Sequence, residues 1–166
     1  MTKRNSPSAG GATPERLRLT DLGIVGWYVA NTGTAYRSAP LTEEERRVVE
    51  VARGKEHFPA KACFHNAQRL VLGDTTGNLH YAEGFKDDCF HHGWVLINGK
   101  VIDLTQGHGN VLGTFDENRT SYFGVRLCRD AWLGRLGCSV FDDWEHGFPV
   151  IRAFETATGN SFIPRR

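Results

Sequence analysis

Long apolar runs are missing from this chain. No stretch approaches the roughly 20 consecutive apolar residues of a membrane-spanning helix, so no membrane partner is expected. Net charge is nearly absent as well. Twenty Lys and Arg against 19 Asp and Glu leave +1 with histidines neutral, which offers no electrostatic footprint for nucleic acid. The cysteines Cys63, Cys89, Cys128 and Cys138 form no C-x-x-C pair, and 166 residues can bury a core that needs no disulfide staples. Residues 1–16 carry Ser, Gly, Thr and basic residues but no apolar core after Lys3-Arg4. That segment reads as a disordered lead-in rather than a signal peptide, and a cytoplasmic location is expected. Repeats and heptads are lacking too, so residues 17–166 read as one domain.

The informative stretch is Cys89 to Thr105, C-F-H-H-G-W-V-L-I-N-G-K-V-I-D-L-T. Asn98-Gly99 between two β-branched, apolar runs is the signal for a two-residue type I′ hairpin. That turn dictates the register: Ile97 opposite Lys100, Leu96 opposite Val101, Val95 opposite Ile102, and Trp94 opposite Asp103. Faces alternate along a strand. His92, Trp94, Asp103 and Thr105 therefore share one face, with His91 on the other. His92 and Asp103 become diagonal neighbours, their Cβ atoms about 7 Å apart. A carboxylate in reach of an imidazole is an orienting pair, and such a pair serves a nucleophile.

The candidate nucleophile lies upstream. Pro59 to Gly73, P-A-K-A-C-F-H-N-A-Q-R-L-V-L-G, has helix-forming residues between a proline suited to a helix start and a glycine suited to its stop. Cys63 then falls in the first turn, where unpaired N–H groups and the dipole favour a thiolate, and Lys61 adds positive charge. Cysteine at a helix start, with histidine and aspartate on a later hairpin, provides a Cys-His-Asp acyl-transfer site.

In this order, Cys63, then H-G-W at His92 to Trp94, then V-I-D-L-T around Asp103, the chain resembles the transglutaminase-like branch of the papain-like cysteine hydrolases. In that superfamily a helix-borne cysteine precedes an H-A-W-type strand and a strand ending in D-x-T or D-P-T. Tyr81-Ala82-Glu83-Gly84-Phe85 also looks like the strand that family places between helix and histidine. The resemblance covers residues 60–105. Lys61-Ala62 stands where many members have Gly or Trp before the cysteine, Gly93 replaces the usual alanine, and Leu104 a frequent proline. The resemblance implies an α+β, transglutaminase-like (papain-like) fold with the cysteine helix packed on an antiparallel sheet. It also implies Cys63, His92 and Asp103 as the catalytic residues; Asn66, Tyr81, Glu83 and Trp94 are the candidate substrate contacts. Lasso-peptide leader peptidases resemble this layout too.

Elsewhere the chain reads more plainly. Leu17 to Ala30 is ambiguous between buried helix and strand, and Asn31 to Ala39 is turn-rich. Thr42-Glu43-Glu44-Glu45 is a capping box opening a structural helix through about Ala52, with Gly54 near its stop. His57 belongs to a solvated loop. Gly73 to Asn78 has turn chemistry, and Leu79 to Phe85 follows as a strand with Tyr81, Glu83 and Phe85 on one face. Glu83 faces either the cleft or solvent. Lys86-Asp87-Asp88 connects to the hairpin. After Thr105, the Gln106 to Asn110 loop with His108 lacks the spacing and lysine of a phosphate loop. Ser121 to Val125 is a strand, Leu127 to Leu136 has helical spacing, Asp142 to Glu145 reads as a solvated turn, and Phe148 to Arg166 packs as an edge or across the core.

Three function classes follow. In the first, Asp103 orients His92, His92 deprotonates Cys63, and the thiolate attacks an amide of a protein, a peptide or a small molecule to give a thioester. The Cys63 N–H is one oxyanion donor, with Asn66, His65 or a loop group as the second. Protease, deamidase and transglutaminase share that chemistry, and none requires a metal or other cofactor. In the second, Cys63-x-His65 and Cys89-x-His91-His92 hold zinc, although C-x-H is not a usual ligand spacing. In the third, the cluster belongs to a binding or inhibitory protein without catalysis.

Overall fold

Three helices and five strands make up the described part of the computed structural model, which covers residues 23–87, 90–105, 121–127 and 159. In chain order they are α1 (Gly23–Thr32), β1 (Thr34–Tyr36), α2 (Glu43–Arg53), α3 (Cys63–Gly73), β2 (His80–Lys86), β3 (Phe90–Ile97), β4 (Lys100–Ile102) and β5 (Tyr122–Arg126). The strands form one antiparallel sheet in the order β1-β5-β2-β3-β4. Helices on an antiparallel sheet place the described chain in the α+β class. The lead-in, Cys89, His108, the helix expected from Leu127, the Asp142 to Glu145 turn and the tail from Phe148 fall outside the described residues, apart from Leu127 and Gly159.

The hairpin has the expected register, Ile97 with Lys100, Leu96 with Val101 and Val95 with Ile102. Asn98 and Gly99 take φ values of 49° and 79°, the doubly left-handed turn that matches strand twist. The same turn anchors α2. Thr42 caps that helix in a complete box, with Glu45 N–H donating to the Thr42 hydroxyl and Thr42 N–H to the Glu45 carboxylate. Glu45 also accepts from Asn98 Nδ2 at 3.0 Å and Lys100 Nζ at 2.7 Å. Burial opposes the charge on Glu45, but these donors outweigh it and hold the carboxyl at about 2.

The two faces of the sheet carry different layers. Tyr81, Val95, Ile97 and Ile102 pack with Val49, Ala67, Leu70 and Val71 of the helices, forming the main core. Phe85 packs with Val29 and Ala30 of α1. On the opposite face Ala82, Trp94, Leu96, Val101 and Tyr122 form a second cluster against Tyr36. The sheet curls around this second cluster until its edges touch, since Val101 N–H donates to Arg37 O at 3.1 Å just after β1. Gly84 and Gly124, paired across β2 and β5, allow the tight curl. A Cβ at Gly124 would stand 2.5 Å from the Trp94 ring, and one at Gly84 would stand 2.3 Å from the Phe123 carbonyl.

The departures from expectation are local. The ambiguous N-terminal stretch is helical from Gly23 to Thr32, and the turn-rich segment after it hides the short strand Thr34–Tyr36. The cysteine helix begins at Cys63, four residues after Pro59, because Lys61 takes a left-handed φ of 65° and turns the chain just before it. Among the described residues no helix is long and apolar enough to cross a membrane.

Candidate active site

Chain alternation places His92 and Trp94 on the inner face of the curled sheet, and Asp103 follows β4 onto the same face. His92 Nε2 donates to Asp103 Oδ2 at 2.9 Å. That direction is fixed by the acceptor, since an ionised carboxylate offers no proton. Asp103 is 3% exposed, yet it is heavily supplied with donors. Oδ2 also accepts from Tyr122 OH at 2.9 Å and from Lys86 Nζ at 3.3 Å. Oδ1 accepts from the Thr105 N–H at 3.0 Å and from the Thr105 hydroxyl. Burial would raise the Asp103 carboxyl, but His92 and Thr105 reverse that and hold it well below the ordinary carboxylate range. Burial, together with the same negative charge, pushes the Tyr122 phenol far above its ordinary value.

Cys63, the first residue of α3 and partly buried, lies close enough to His92 to act on the charge of its ring. With Nε2 committed to Asp103, Nδ1 is the ring nitrogen left to exchange a proton. Burial lowers the basicity of His92, but the hydrogen bonds and charges of Asp103 and Cys63 overcome it and raise the imidazole to about 9. The start of α3 contributes in a second way. Ala62, at the N-cap position, makes no side-chain cap, whereas Thr42 caps α2. The first N–H groups of α3 lie beyond the reach of intrahelical carbonyls and are not covered by a capping side chain. Together these features set Cys63 beside a raised imidazole, at a helix start whose first N–H groups have no side-chain cap.

Gly93 explains why α3 comes close enough. A Cβ there would lie 3.0 Å from the Phe64 ring, 3.1 Å from Phe64 Cα and 3.1 Å from Tyr81 OH. The helix backbone is seated directly on the strand next to His92. An alanine at this position would need Phe64 and Tyr81 to give by a few tenths of an ångström.

The four residues expected to contact substrate are all fully buried. Asn66, Tyr81, Glu83 and Trp94 are each 0% exposed. Asn66 Nδ2 donates to Pro59 O at 2.7 Å and braces the loop before α3. Trp94 stacks 6.4 Å from the His92 ring and forms a floor beneath it. Glu83 opposes Gly93 in the register, so it faces α3 rather than His92 or solvent. There it accepts from Tyr81 OH and pairs with His91 Nε2, each at 2.9 Å, while Gln68 Nε2 donates to Tyr81 OH at 3.3 Å. This second carboxylate–imidazole pair lies on the opposite side of β3, under Phe64, whose ring meets His91 edge-on at 5.0 Å.

Three useful side chains escaped sequence reading. Tyr122 reaches Asp103 because β5 sits beside β2, an order that no local pattern encodes. Lys86 ends β2 instead of merely connecting to the hairpin. Phe90, two residues before His92 and on its face, is 65% exposed; strand alternation would have placed it had β3 been begun there. A cleft of about 360 Å³ between the C-terminal ends of α2 and α3 is lined by Ala52, Arg53, Gly54, Glu56, Arg69, Leu72 and Gly73, with no triad member among them. No group of three His, Cys, Asp or Glu among the described residues is placed to hold a metal ion. No family model, curated protein or solved structure matches the chain.

Proposed function

We propose that this chain is a cysteine acyl hydrolase or acyltransferase with a transglutaminase-like arrangement, acting on a peptide or side-chain amide through a thioester. The observation that carries the reading is the grouping of Cys63, His92 and Asp103, in which Asp103, itself saturated with donors, orients His92 and Cys63 acts on the same ring. His92 takes the thiol proton, and the Cys63 sulfur attacks the amide carbonyl. The oxyanion is met by the N–H groups at the start of α3. His92 then gives its proton to the departing amine as the C–N bond breaks, leaving a thioester on Cys63. In the second half the neutral imidazole deprotonates water or an incoming amine, which attacks the thioester. The C–S bond breaks, His92 returns the proton, and the free thiol is restored.

Placement supports this reading in preference to an inert core cysteine. Cys63 stands at the uncapped start of α3, beside an imidazole that Asp103 orients. The test is alkylation of Cys63 by iodoacetamide across pH 5 to pH 10, with the labelled peptide identified by mass spectrometry, in wild type and His92→Ala. A labelling plateau well below the ordinary thiol value of about 8.5, lost in His92→Ala, is expected. Labelling that rises only near that value, with no dependence on His92, would refute the assignment.

A further inference from the structure

We infer that Lys86 limits how strongly His92 holds its proton, by sharing Asp103 Oδ2 with it, so that a single imidazole can serve both halves of the reaction. This rests on the acyl-transfer reading above and adds a positioning residue to it. Lys86 ends β2, two residues after Gly84, which pairs with His92. Lys86 therefore shares the His92 face. Its ammonium lies 3.3 Å from Asp103 Oδ2 and 5.6 Å from the centre of the Tyr122 ring, and its side chain is only 14% exposed. His92 Nε2 lies 2.9 Å from that same oxygen. The two nitrogens thus stand at most about 6.2 Å apart, the sum of 2.9 and 3.3 Å.

The lysine is not needed to satisfy the carboxylate. His92, Tyr122 and the two donors of Thr105 already do that. What it adds is a second positive charge close to the imidazolium, and a like charge at this distance favours the neutral ring. The groups facing His92 are Cys63 from α3, Asp103 after β4, Tyr122 from β5 and Lys86 from β2. Lys86 itself faces Asp103 and Tyr122, with exposed Asp87 next in the chain, where it accepts from Ser121 N–H. During attack the negative charge that gathers on the sulfur offsets Lys86 and lets His92 hold the proton it has taken. Once the sulfur is acylated that charge is gone. Lys86 then remains on Asp103 Oδ2, opposing the pull of Asp103 on the ring, and His92 is released as the neutral base that the second half requires.

The experiment is an NMR titration of the His92 ring in the full chain carrying Cys63→Ala, which removes the sulfur's charge, alone and combined with Lys86→Met or Lys86→Arg. Lys86→Met is expected to raise the His92 midpoint by about one pH unit, and Lys86→Arg, which keeps the charge, to leave it within a few tenths of the parent. With Cys63 intact, the steady-state rate after the acetylation burst from p-nitrophenyl acetate should move to higher pH in Lys86→Met. An unmoved midpoint in a folded Lys86→Met protein overturns the inference. So does a lowered midpoint, which would mean that the lysine merely holds Asp103 in place. The acyl-transfer reading fails separately, through an unreactive Cys63 in the wild type, whereas the titration decides the coupling of Lys86 to His92 in either event.

Discussion

Replacing Asp103 with asparagine keeps the shape of the side chain and removes one acceptor oxygen. Both carboxylate oxygens are occupied by donors: Oδ2 by His92, Tyr122 and Lys86, Oδ1 by the N–H and hydroxyl of Thr105. An amide must turn its NH₂ toward one of these sets. Turned toward His92, it forces the ring to accept at Nε2 and carry its proton on Nδ1, so the ring can no longer take the thiol proton. Turned toward Thr105, it leaves the Thr105 N–H without an acceptor. The rise of His92 from 6.5 to about 9 corresponds to about 3 kcal/mol of preference for the imidazolium, shared between Asp103 and Cys63. Adding a stranded donor at about 1–3 kcal/mol, Asp103→Asn should cost about 3 kcal/mol. At a urea slope of about 1–3 kcal/mol per molar, the midpoint falls by about 1.5 M. The cost has a pH signature. The raised His92 contributes fully below its ordinary 6.5 and loses that contribution as pH climbs through about 9. The depressed Asp103 contributes above its ordinary 3.8 and loses its contribution as pH falls through its lower folded value. Wild type should therefore exceed the variant most between about pH 4 and pH 6.5, with a narrower gap toward pH 9. Urea titrations at pH 5.5, 7 and 9, with Cys63 alkylation at pH 6.5, test this. Equal midpoints and equal labelling would refute the reasoning, because they would mean that no charge on Asp103 is felt by the ring.

Three other outcomes follow from the packing beside the site and from the cap at the hairpin turn. Gly93→Ala should destabilise by about 1–3 kcal/mol through overpacking against Phe64 and Tyr81, and should slow Cys63 alkylation while circular dichroism stays unchanged; unaltered labelling would show that the seat of α3 does not set the Cys63–His92 contact. At the far end of the hairpin, Thr42→Ala should cost about 1 kcal/mol by loss of the cap, read as a lower thermal midpoint. Because Glu45 is depressed from 4.5 to about 2, its contribution is present above 4.5 and fades as pH falls toward 2. Glu45→Gln should therefore lower the thermal midpoint at pH 6 and converge with wild type at pH 2, and a gap that persists there would exclude the charge as its source.

Local chemistry made part of this protein legible in advance. Asn98-Gly99 encodes its own turn because few residue pairs accept two successive left-handed conformations, and the turn fixed which side chains of β3 and β4 oppose one another. Strand alternation then set His92 and Asp103 on one face and His91 on the other. Thr42 and Glu45 formed their box because both partners lie within one helical turn. Such features depend on neighbours in sequence, so the residues alone determine them. What the tertiary structure decided depends on contacts between distant segments. The place of β5 beside β2 brings Tyr122 onto Asp103. The curl of the sheet buries Trp94 as a floor instead of leaving it to line a cleft. The seat of Phe64 on Gly93 puts α3 against the hairpin and over the face of β2 that carries Glu83. Lys86 joined the site for the same reason, its charge meaning little until the fold placed it on the oxygen that His92 already holds.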